Sequence, residues 1–335
     1  MNTKTYQLGI IGLGHMGLAL AKGCISGKLL EPSNIAVFAH SAKTQTRCKQ
    51  EGLSLIESLE ELVQNSRILL LAVPPKNLDE VLKELAPLLD VSKTDILTSA
   101  NMAEGAGIAA GASMVEGAGT ATGAGTNTNA EQEADTAAGI GTSASANTGA
   151  GATNFQPCIL SVVAGRSIKS IQDIIGAHVP VAHALPNATL QVGLGACALC
   201  FSDEFAKSEA EFIKNIFSCA GIVYELSEEL INASVAAHGS TPAYVYYFVD
   251  CMIKHLISCG FEEQCARELL VQTIAGSAKL MQEQPDKSIA SFINEIATEG
   301  GTTAAAINML KNSSFADDLA KANNACIDRC NELAK

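Results

Sequence analysis

A glycine-rich turn near the N-terminus limits the possible folds of this chain more than any other feature. The apolar run Tyr6–Ile11 is followed at once by the sequence GLGHMG at residues 12–17. In a strand–turn–helix unit, Gly12 permits the tight turn, Gly14 lets the backbone approach a pyrophosphate, and Gly17 allows close packing of the helix on the strand. Unpaired amides at the helix N-terminus then bind the phosphate. The sequence therefore predicts an α/β nucleotide-binding domain.

Beyond this turn, strand patterns alternate with helical patterns. Strands are predicted at Tyr6–Ile11, Ile35–Ala39, Arg67–Val73, Cys158–Val163, Val179–Ala184, Gly195–Phe201 and Ile222–Leu226. Helices between them are predicted at Met16–Ser26, Leu59–Gln64, Asn77–Leu89 and Glu204–Ala220. This alternation is typical of βαβ units on a parallel sheet.

From about Glu228 onward the strand patterns stop. The predicted helices are Leu230–Ala237, Pro242–Ser258, Glu262–Gln282, Ser288–Ala297, Thr303–Asn312 and Phe315–Leu333. A sheet half followed by a helical half predicts two domains with a ligand cleft between them. We therefore expect an α/β Rossmann-type dinucleotide-binding domain at residues 1–226, followed by an all-α domain at residues 227–335.

Residues 98–155 differ in composition from both halves. They are mostly Gly, Ala, Ser, Thr and Asn, and no Lys or Arg occurs between Lys93 and Arg166. Such a segment buries too little apolar surface to offset its ordering entropy, so we expect a disordered, low-complexity insertion. A surface connection tolerates it because closure entropy grows only logarithmically with length. A lid or a partner tether is the functional alternative.

Composition argues against several classes of protein. The net charge is −13 without a dense Lys/Arg cluster, which disfavours nucleic acid as a partner. No apolar run reaches the roughly 18 residues of a membrane helix, and the N-terminal run begins a nucleotide turn rather than a signal peptide. The eleven cysteines include Cys197/Cys200 and Cys326/Cys330, but no second ligand pair follows at metal spacing. We expect free thiols, no metal site, no membrane contact and a cytoplasmic location.

The end of the second predicted strand indicates which dinucleotide binds. NAD sites usually place an acidic residue there to bind the ribose hydroxyls. This chain instead has His40, Ser41 and Lys43, with Arg47 one turn later and no carboxylate. A hydroxyl group beside cations suits a 2′-phosphate, so NADPH is favoured and NADH stays possible. We assign His40, Ser41 and Lys43 to the cofactor site.

Two helix starts in the second half share one physical form. The sequence Gly239-Ser240-Thr241-Pro242 precedes one helix, with Thr241 as the expected N-cap and Pro242 as the first helical residue. The sequence Gly300-Gly301-Thr302-Thr303 precedes another helix. Exposed amides beside hydroxyl groups suit a carboxylate, although simple capping explains either motif alone. Together with a nucleotide domain, the two motifs favour a small anionic substrate.

The order of the motifs GLGHMG, LLLAVPP, LSVVAG, HALPNAT, HGSTPAY and EGGTT resembles the pyrroline-5-carboxylate reductase family over nearly the whole chain. Only the insertion lies outside the resemblance. The N-terminal motif occurs in many dehydrogenases, whereas the C-terminal motifs are more specific to this family. The resemblance implies a helical dimerisation domain, a homodimer or higher homo-oligomer, NADPH or NADH as the cofactor, and a small anionic cyclic imine as the substrate.

The resemblance also implies roles for individual residues. It places Gly12, Gly14, His15, Met16 and Gly17 at the cofactor phosphates and Ser41 at the adenosine phosphate. It places Val73, Pro74, Pro75, Ala164 and Gly165 near the nicotinamide, and Asn187 in the cofactor site. It places Ser240, Gly301, Thr302 and Thr303 around the substrate. The chain departs from the family pattern at several positions, among them His183 in place of an Arg and Glu299 in place of a Pro.

These roles combine into one mechanistic hypothesis. The carboxylate of a cyclic imine acid docks on Gly301–Thr303, and its C=N carbon accepts a hydride from the nicotinamide. Ser240, Thr241 and His238 are the candidate catalytic residues, because each has a group that can hydrogen-bond the ring nitrogen. Three alternatives stay open: reduction of a related cyclic imine acid, a β-hydroxyacid dehydrogenase using Lys254 or Lys279, and a weakly catalytic nucleotide-binding regulatory paralogue.

Overall fold

The computed structural model describes residues 6–39, 41–90 and 156–333. These residues contain an eight-stranded sheet. Its strands are β1 (Tyr6–Ile11), β2 (Ile35–Phe38), β3 (Ser54–Ile56), β4 (Ser66–Leu71), β5 (Cys158–Ser161), β6 (Val181–Pro186), β7 (Gly195–Phe201) and β8 (Gly221–Glu225). Their spatial order is β3-β2-β1-β4-β5-β6-β7-β8. The insertion predicted at residues 98–155 and the candidate site residue His40 lie outside the described residues.

The helices of the described residues fall into two groups. The first group alternates with the strands: α1 (His15–Ser26), α2 (Ala42–Gln50), α3 (Leu59–Asn65), α4 (Leu78–Leu89), α5 (Ile168–Ile175) and α6 (Lys207–Ser218). The second group follows β8: α7 (Glu228–Ser234), α8 (Thr241–Ser258), α9 (Glu263–Glu283), α10 (Ile289–Ile296), α11 (Thr302–Lys311) and α12 (Phe315–Leu333). The predicted fold class, a Rossmann-type α/β part followed by helices, is confirmed.

The sheet is parallel except at one pair of strands. Neighbouring strands run parallel from β3 to β6, and β7 and β8 run parallel to each other. The β6–β7 pair is antiparallel, with His183 opposite Cys200. Because the carboxyl ends of the parallel strands meet at one edge, the turns after β1, β2, β4 and β5 lie on the same side of the molecule.

Helices cover both faces of the sheet and build two apolar layers. One layer joins α1 and α6 to the sheet through buried residues such as Leu20 and Phe217. The other joins α4 and α5 through residues such as Leu82 and Ile171. The central strand β4 is buried on both faces, and burying each of its leucines contributes about 2 kcal/mol. This double cover holds the turns at the sheet edge in fixed positions.

Strand β3 and helices α2 and α5 of the nucleotide-binding half were absent from the sequence-based predictions. Strand β3 has three residues, too few to show a period. Helix α5 buries Ile168, Ile171 and Ile175 at helical spacing and is capped by the Ser167 hydroxyl group, so its sequence carried a usable signal. Strand β4 ends at Leu71 rather than at Val73, which places Val73 in the turn that follows.

The second group of helices buries few of its apolar side chains within this chain. No residue of α8, α10 or α11 is buried, and α9 buries only Ala266. Large apolar side chains are exposed instead, including Tyr247 at 72% and Ile296 at 69%. Among the described helices, none is long and apolar enough to cross a lipid bilayer. Exposed apolar surface of this kind is typical of an interaction site.

A single π-helical turn, Val235–Gly239, follows α7 directly, and only Ser240 separates it from α8. The amide of Ser240 donates to the carbonyl of Val235 at 2.9 Å, which closes the wider turn. Ser240 itself has helical dihedral angles, φ −94° and ψ −20°. Such isolated turns are frequent at functional sites.

The last helix, α12, returns to the nucleotide-binding half. It packs on α7 and on the π turn, and it also covers the turn after β5. A Cβ atom placed on Gly165 would lie 2.6 Å from the Cβ of Leu333 and 3.1 Å from the carbonyl oxygen of Cys330. With φ at +75°, Gly165 is required both for its backbone conformation and for this close approach.

Candidate functional site

The turn between β1 and α1 has the geometry that a bound dinucleotide requires. Gly12 has φ +87°, and a Cβ atom on it would lie 2.9 Å from Val73 Cγ1. A Cβ atom on Gly17 would lie 2.7 Å from the Gly12 carbonyl oxygen, so Gly17 permits the close packing of α1. In contrast, a Cβ atom on Gly14 would have only the Ala72 carbonyl oxygen nearby, at 4.0 Å. The space above Gly14 is therefore open to a ligand.

The first turn of α1 offers unpaired amides to that space. Gly14 is the N-cap and supplies no side-chain cap, and the first turn carries no acidic residue. His15 is exposed and Met16 is half-buried against the core. Uncapped amides at the positive end of a helix bind a phosphate group. Gly12, Gly14, His15, Met16 and Gly17 remain the residues predicted to bind the cofactor phosphates.

Helix α2 begins beside this turn and presents hydroxyl groups and cations. The Ser41 hydroxyl group accepts from the Thr44 amide at 3.2 Å and lies 2.7 Å from the Thr44 hydroxyl group. Lys43 is exposed in the first turn. Arg47 Nη1 donates to the carbonyl oxygen of Leu13 at 3.2 Å, which holds its guanidinium group against the glycine turn. Ser41, Lys43 and Arg47 therefore all lie on the first two turns of α2 beside the glycine turn. Thr44 adds a second hydroxyl group that the sequence analysis did not include.

The turn after β4 forms one wall of a cavity at the same edge. This cavity has a volume of about 160 Å³ and is lined by Gly12, Ala39, Thr44, Val73 and residues of α4. Pro74 and Pro75 follow Val73 and are exposed at the start of a short 3₁₀ turn. Such a position, between the ends of β1, β2 and β4, is where an α/β sheet binds a nucleotide.

The turn after β5 contains Ala164 and Gly165. Gly165 lies beneath α12, so the turn is fixed by the C-terminal helix. The next residue, Arg166, donates to Asp79 of α4 at 2.5 Å and ties the turn to the neighbouring helix. The two segments predicted near the nicotinamide, after β4 and after β5, therefore sit on adjacent strands and are joined by an ion pair.

Asn187, at the end of β6, connects three elements through its side chain. Its Oδ1 accepts from the Ala196 amide at 3.1 Å and from the Thr189 hydroxyl group at 2.8 Å. Its Nδ2 donates to the carbonyl oxygen of His238 at 3.2 Å. Asn187 is 7% exposed. The amide group thereby fixes the π turn relative to the sheet, which makes it a positioning group for this region.

His238 is held by its ring. Its Nε2 donates to the carbonyl oxygen of Leu185 at 2.5 Å, so the proton on this nitrogen is engaged with the end of β6. The Nδ1 atom of a neutral ring is then an acceptor rather than a donor. This arrangement weakens the case for His238 as a proton donor, and with Asn187 it forms a second link between β6 and the π turn.

The structure corrects the prediction that Thr241 caps α8. Ser240 is the N-cap position and Thr241 is the first helical residue, because the preceding π turn leads directly into the helix. The Thr241 hydroxyl group donates to the carbonyl oxygens of Ala236 at 2.9 Å and Ala237 at 3.0 Å instead of accepting from amides. Since Pro242 has no amide hydrogen, this helix start has little to offer an anion.

Ser240 differs from His238 and Thr241 because its side chain has no backbone hydrogen-bond partner among the described residues. It lies 3.1 Å from the thiol of Cys326 on α12, a contact that sequence reasoning missed because the two residues are far apart in the chain. Of the three predicted catalytic residues, Ser240 therefore retains the most freedom to bind a ligand. Tyr244, one turn along α8, lies near the same two side chains. Burial, and then the Cys326 thiol, raise the pKa of Tyr244, whereas its hydrogen bond with Ser240 lowers it.

The second predicted helix start keeps its amides free of side-chain caps. Gly301 is the N-cap of α11 with φ −80° and ψ 163°, and Gly300 before it has φ +75°. Thr302 is exposed and Thr303 is half-buried. Within the described residues, no hydrogen bond joins Gly301–Thr303 to the nucleotide-binding half. This helix start therefore has the properties of an anion site but is not brought to the dinucleotide turn by contacts of a single chain.

His183 is the most perturbed histidine of the described residues. Its side chain on β6 is fully buried, and neither ring nitrogen has a hydrogen-bond partner there. Burial lowers its pKa to about 4, and a weaker interaction with the backbone of Val163 acts in the opposite direction. The imidazole is therefore neutral at pH 7.

No group of three His, Cys, Asp or Glu side chains comes together as a metal site in the part of the chain that the structure describes.

Comparisons with known proteins find pyrroline-5-carboxylate reductases as relatives over nearly the whole chain. Residues 228–333 match the family model described as pyrroline-5-carboxylate reductase dimerisation. Residues 7–101 match the model described as NADP oxidoreductase coenzyme F420-dependent. The chain is 25% identical to a pyrroline-5-carboxylate reductase of Aquifex aeolicus over 99% of this chain and 97% of that protein. It is 26% identical to pyrroline-5-carboxylate reductase 3 of Danio rerio over 98% of this chain and 91% of that protein.

Solved structures show the same fold. A pyrroline carboxylate reductase of Plasmodium falciparum with NADP bound matches with a TM-score of 0.72 and 21% identity, covering all of both chains. A pyrroline-5-carboxylate reductase of Coxiella burnetii matches with a TM-score of 0.74 and 21% identity, covering 99% of this chain and 100% of the other. The arrangement of sheet and helices described above therefore recurs in solved proteins.

Proposed function

The chain belongs to the pyrroline-5-carboxylate reductase family, and we propose that it transfers hydride from NADPH to the C=N bond of 1-pyrroline-5-carboxylate to give L-proline, the last step of proline biosynthesis. The observation that carries the proposal is the start of α11 at Gly301–Thr303, which has no side-chain cap and lies in a chain that also has a glycine turn between β1 and α1.

NADPH fits the residues present at the edge of the sheet. The open space at Gly14 and the free amides of α1 suit the pyrophosphate. Ser41, Lys43 and Arg47 suit the 2′-phosphate, since they supply a hydroxyl group and two cations without a carboxylate on α2. The reduced nicotinamide supplies the hydride when it is bound. The turns after β4 and β5 are the walls against which its ring would lie.

The substrate is held by its carboxylate. The amides of Thr302 and Thr303 carry partial positive charge at the helix N-terminus and are exposed or half-buried. Ser240 is the hydroxyl group best placed to hydrogen-bond the ring nitrogen, because Thr241 and His238 are committed to backbone carbonyls. The protein therefore acts mainly by orienting two reactants, and the imine proton comes from solvent.

A homodimer is part of the same proposal. The helices α8–α11 leave large apolar side chains exposed, and the family model that matches them is one of dimerisation. A second copy packed on these helices buries this surface and allows the Gly301–Thr303 site of one copy to meet the nucleotide-binding half of the other. The free thiols agree with a cytoplasmic location.

The test is NADPH oxidation by the purified full chain with 1-pyrroline-5-carboxylate, six-membered imine acids and β-hydroxyacids. We expect the five-membered imine acid to be reduced fastest, with NADH slower than NADPH. NADPH binding without turnover of any imine acid would contradict the proposal and favour the regulatory paralogue. Oxidation of a β-hydroxyacid with NAD would favour the dehydrogenase, although Lys254 and Lys279 are exposed and paired with Asp250 and Glu283.

The role of Ser240 is tested by Ser240→Ala, with Ser258→Ala at the other end of α8 as the matched control. We expect Ser240→Ala to lower kcat/KM for the imine about 10- to 100-fold, with the affinity for NADPH unchanged. Ser258 donates only to a carbonyl of its own helix, so its variant should keep wild-type kinetics. Equal rates for Ser240→Ala and the wild type would remove Ser240 from the mechanism.

A further inference from the structure

Two cysteines outside the proposed active site lie next to each other in the nucleotide-binding half. Cys24 is fully buried on α1, and its Sγ lies 3.8 Å from the carbonyl oxygen of Ile216. Cys219 follows the end of α6, and its Sγ lies 3.1 Å from the same oxygen. Both sulfur atoms therefore converge on one carbonyl group, although the residues are far apart in the sequence.

The backbones that carry the two thiols approach closely. A Cβ atom on Gly27 would lie 2.4 Å from the Cβ of Cys219. A Cβ atom on Gly23, next to Cys24, would lie 2.9 Å from the Cβ of Ala220. Glycine at positions 23 and 27 thus allows the turn of α1 that carries Cys24 to pack directly on residues 219–220.

The two thiols differ in their access to solvent. Cys219 is half-buried and lines a cavity of about 480 Å³, whereas Cys24 lies behind it in the core. The interaction with the neighbouring Cys24 thiol lowers the pKa of Cys219. The interaction with Cys219, and then burial, raise the pKa of Cys24. This asymmetry is the usual one of an attacking thiol and a resolving thiol.

The cavity is large enough to admit a small-molecule disulfide. One wall is the face of α1 that includes His15, Lys22 and Ser26, and the other is the segment 190–193. The ammonium group of Lys22 pairs with Glu51, a residue that does not line the cavity, and about half of the Lys22 side chain remains exposed. A cationic group near the opening suits a reagent that carries carboxylates.

We infer that Cys24 and Cys219 form a redox-active thiol pair that reacts with low-molecular-weight disulfides entering this cavity. The Cys219 thiolate attacks one sulfur of the disulfide RSSR, the S–S bond breaks, and RS⁻ leaves and takes up a proton. The Cys24 thiol then loses its proton and attacks the Cys219 sulfur, which releases the second RSH. In total, two protein thiols are oxidised to one disulfide and one RSSR is reduced to two RSH.

Other cysteine pairs of the chain lack this arrangement. Cys197 and Cys200 share a CxxC motif but lie on β7, where residues three apart point to opposite faces of the sheet. Cys326 contacts Ser240 rather than another thiol, and Cys330 is buried under the turn after β5. The motif that the sequence draws attention to is therefore not the reactive pair.

The test treats the reduced full chain with oxidised glutathione at pH 7.5 and follows each cysteine by peptide mass mapping. We expect the wild type to lose the thiols of Cys24 and Cys219 first, to form the Cys24–Cys219 disulfide and to retain no glutathione there. Cys24→Ser should retain one glutathione on Cys219, because the resolving thiol is gone. Cys219→Ser should form neither product. Cys251→Ser, which removes an exposed thiol on α8, is the matched control and should behave like the wild type.

The rates provide a second measurement on the wild-type protein. We expect Cys219 to react about tenfold faster than the exposed Cys251, because the pKa of Cys219 is lowered. Reaction at Cys251 before Cys219, or a glutathione that persists on Cys219 in the wild type, would overturn the inference. So would the absence of any reaction at Cys219. None of these measurements depends on imine reduction, so the result is independent of the proposed function.

Discussion

His183→Leu removes an imidazole that is fully buried in β6 and has no hydrogen-bond partner among the described residues. Leucine has a similar volume and no polar atoms, so the substitution tests the energy of the buried ring alone. A buried polar group without a partner destabilises a protein by about 1–3 kcal/mol. At pH 7.5 we therefore expect the variant to be as stable as the wild type or more stable, unlike most core substitutions.

The pH dependence gives a sharper magnitude. The pKa of His183 is about 4 in the folded chain, and about 6.5 is the ordinary value for an unfolded one. Because the folded pKa is the lower one, the unfolded chain binds the proton first as the pH falls. Stability is therefore intact above pH 6.5 and is lost as the pH falls toward 4. Between pH 7.5 and pH 5.0, linkage predicts a loss of about 2 kcal/mol from this group.

The assay is urea unfolding followed by far-ultraviolet circular dichroism at pH 7.5 and pH 5.0, at one protein concentration because a dimer is expected. His183→Leu should lose about 2 kcal/mol less than the wild type over this range. His178→Gln, at an exposed histidine of the same half, is the control and should keep the wild-type difference. Equal pH dependence in His183→Leu and the wild type would refute the reasoning, since the ring would then have an unrecognised partner.

Three further perturbations test other parts of the molecule. Arg47→Gln should raise the Kd for NADPH about tenfold and the Kd for NADH less than twofold in fluorescence titrations. Lys49→Gln, at the far end of α2, should change neither Kd. Equal effects on both nucleotides would contradict a 2′-phosphate contact. Asn187→Ala removes three buried hydrogen bonds and should lower the free energy of unfolding by about 2–4 kcal/mol in urea; a loss below 1 kcal/mol would show that the amide does not connect these elements. Tyr247→Glu should shift the dimer toward monomer in analytical ultracentrifugation, while Glu57→Lys on the nucleotide-binding half should not; an unchanged dimer would place the interface elsewhere.

Most elements of the fold were predictable because their signals are local. The bounds of β7 and α12 agree with the predictions to the residue, and β1 is equally well defined by its apolar run and the glycines after it. The antiparallel direction of β7 had no local signal, because strand direction is set by the connection and by packing on neighbours. Strand β3 was too short to be recognised.

The candidate site was predictable where backbone geometry alone defines it. Gly12 makes the tight turn and Gly17 the close helix packing that their spacing indicated, and Gly301 begins a helix without a side-chain cap. Thr241 was misjudged because a π turn has no sequence signature that separates it from a cap. The contacts of Cys326 with Ser240 and of Cys24 with Cys219 join distant segments, so only the folded chain reveals them.

A ribosome makes α12 after all the strands of the sheet, yet the turn after β5 needs this helix as its cover. At usual rates of translation, on the order of ten to thirty seconds separate the synthesis of Gly165 from that of Leu333. Throughout that interval the nascent protein holds a completed strand whose following turn is bare. A message truncated before Cys330 would yield a polypeptide in which the turn after β5 stays uncovered. Chaperones and proteases act on such exposed segments.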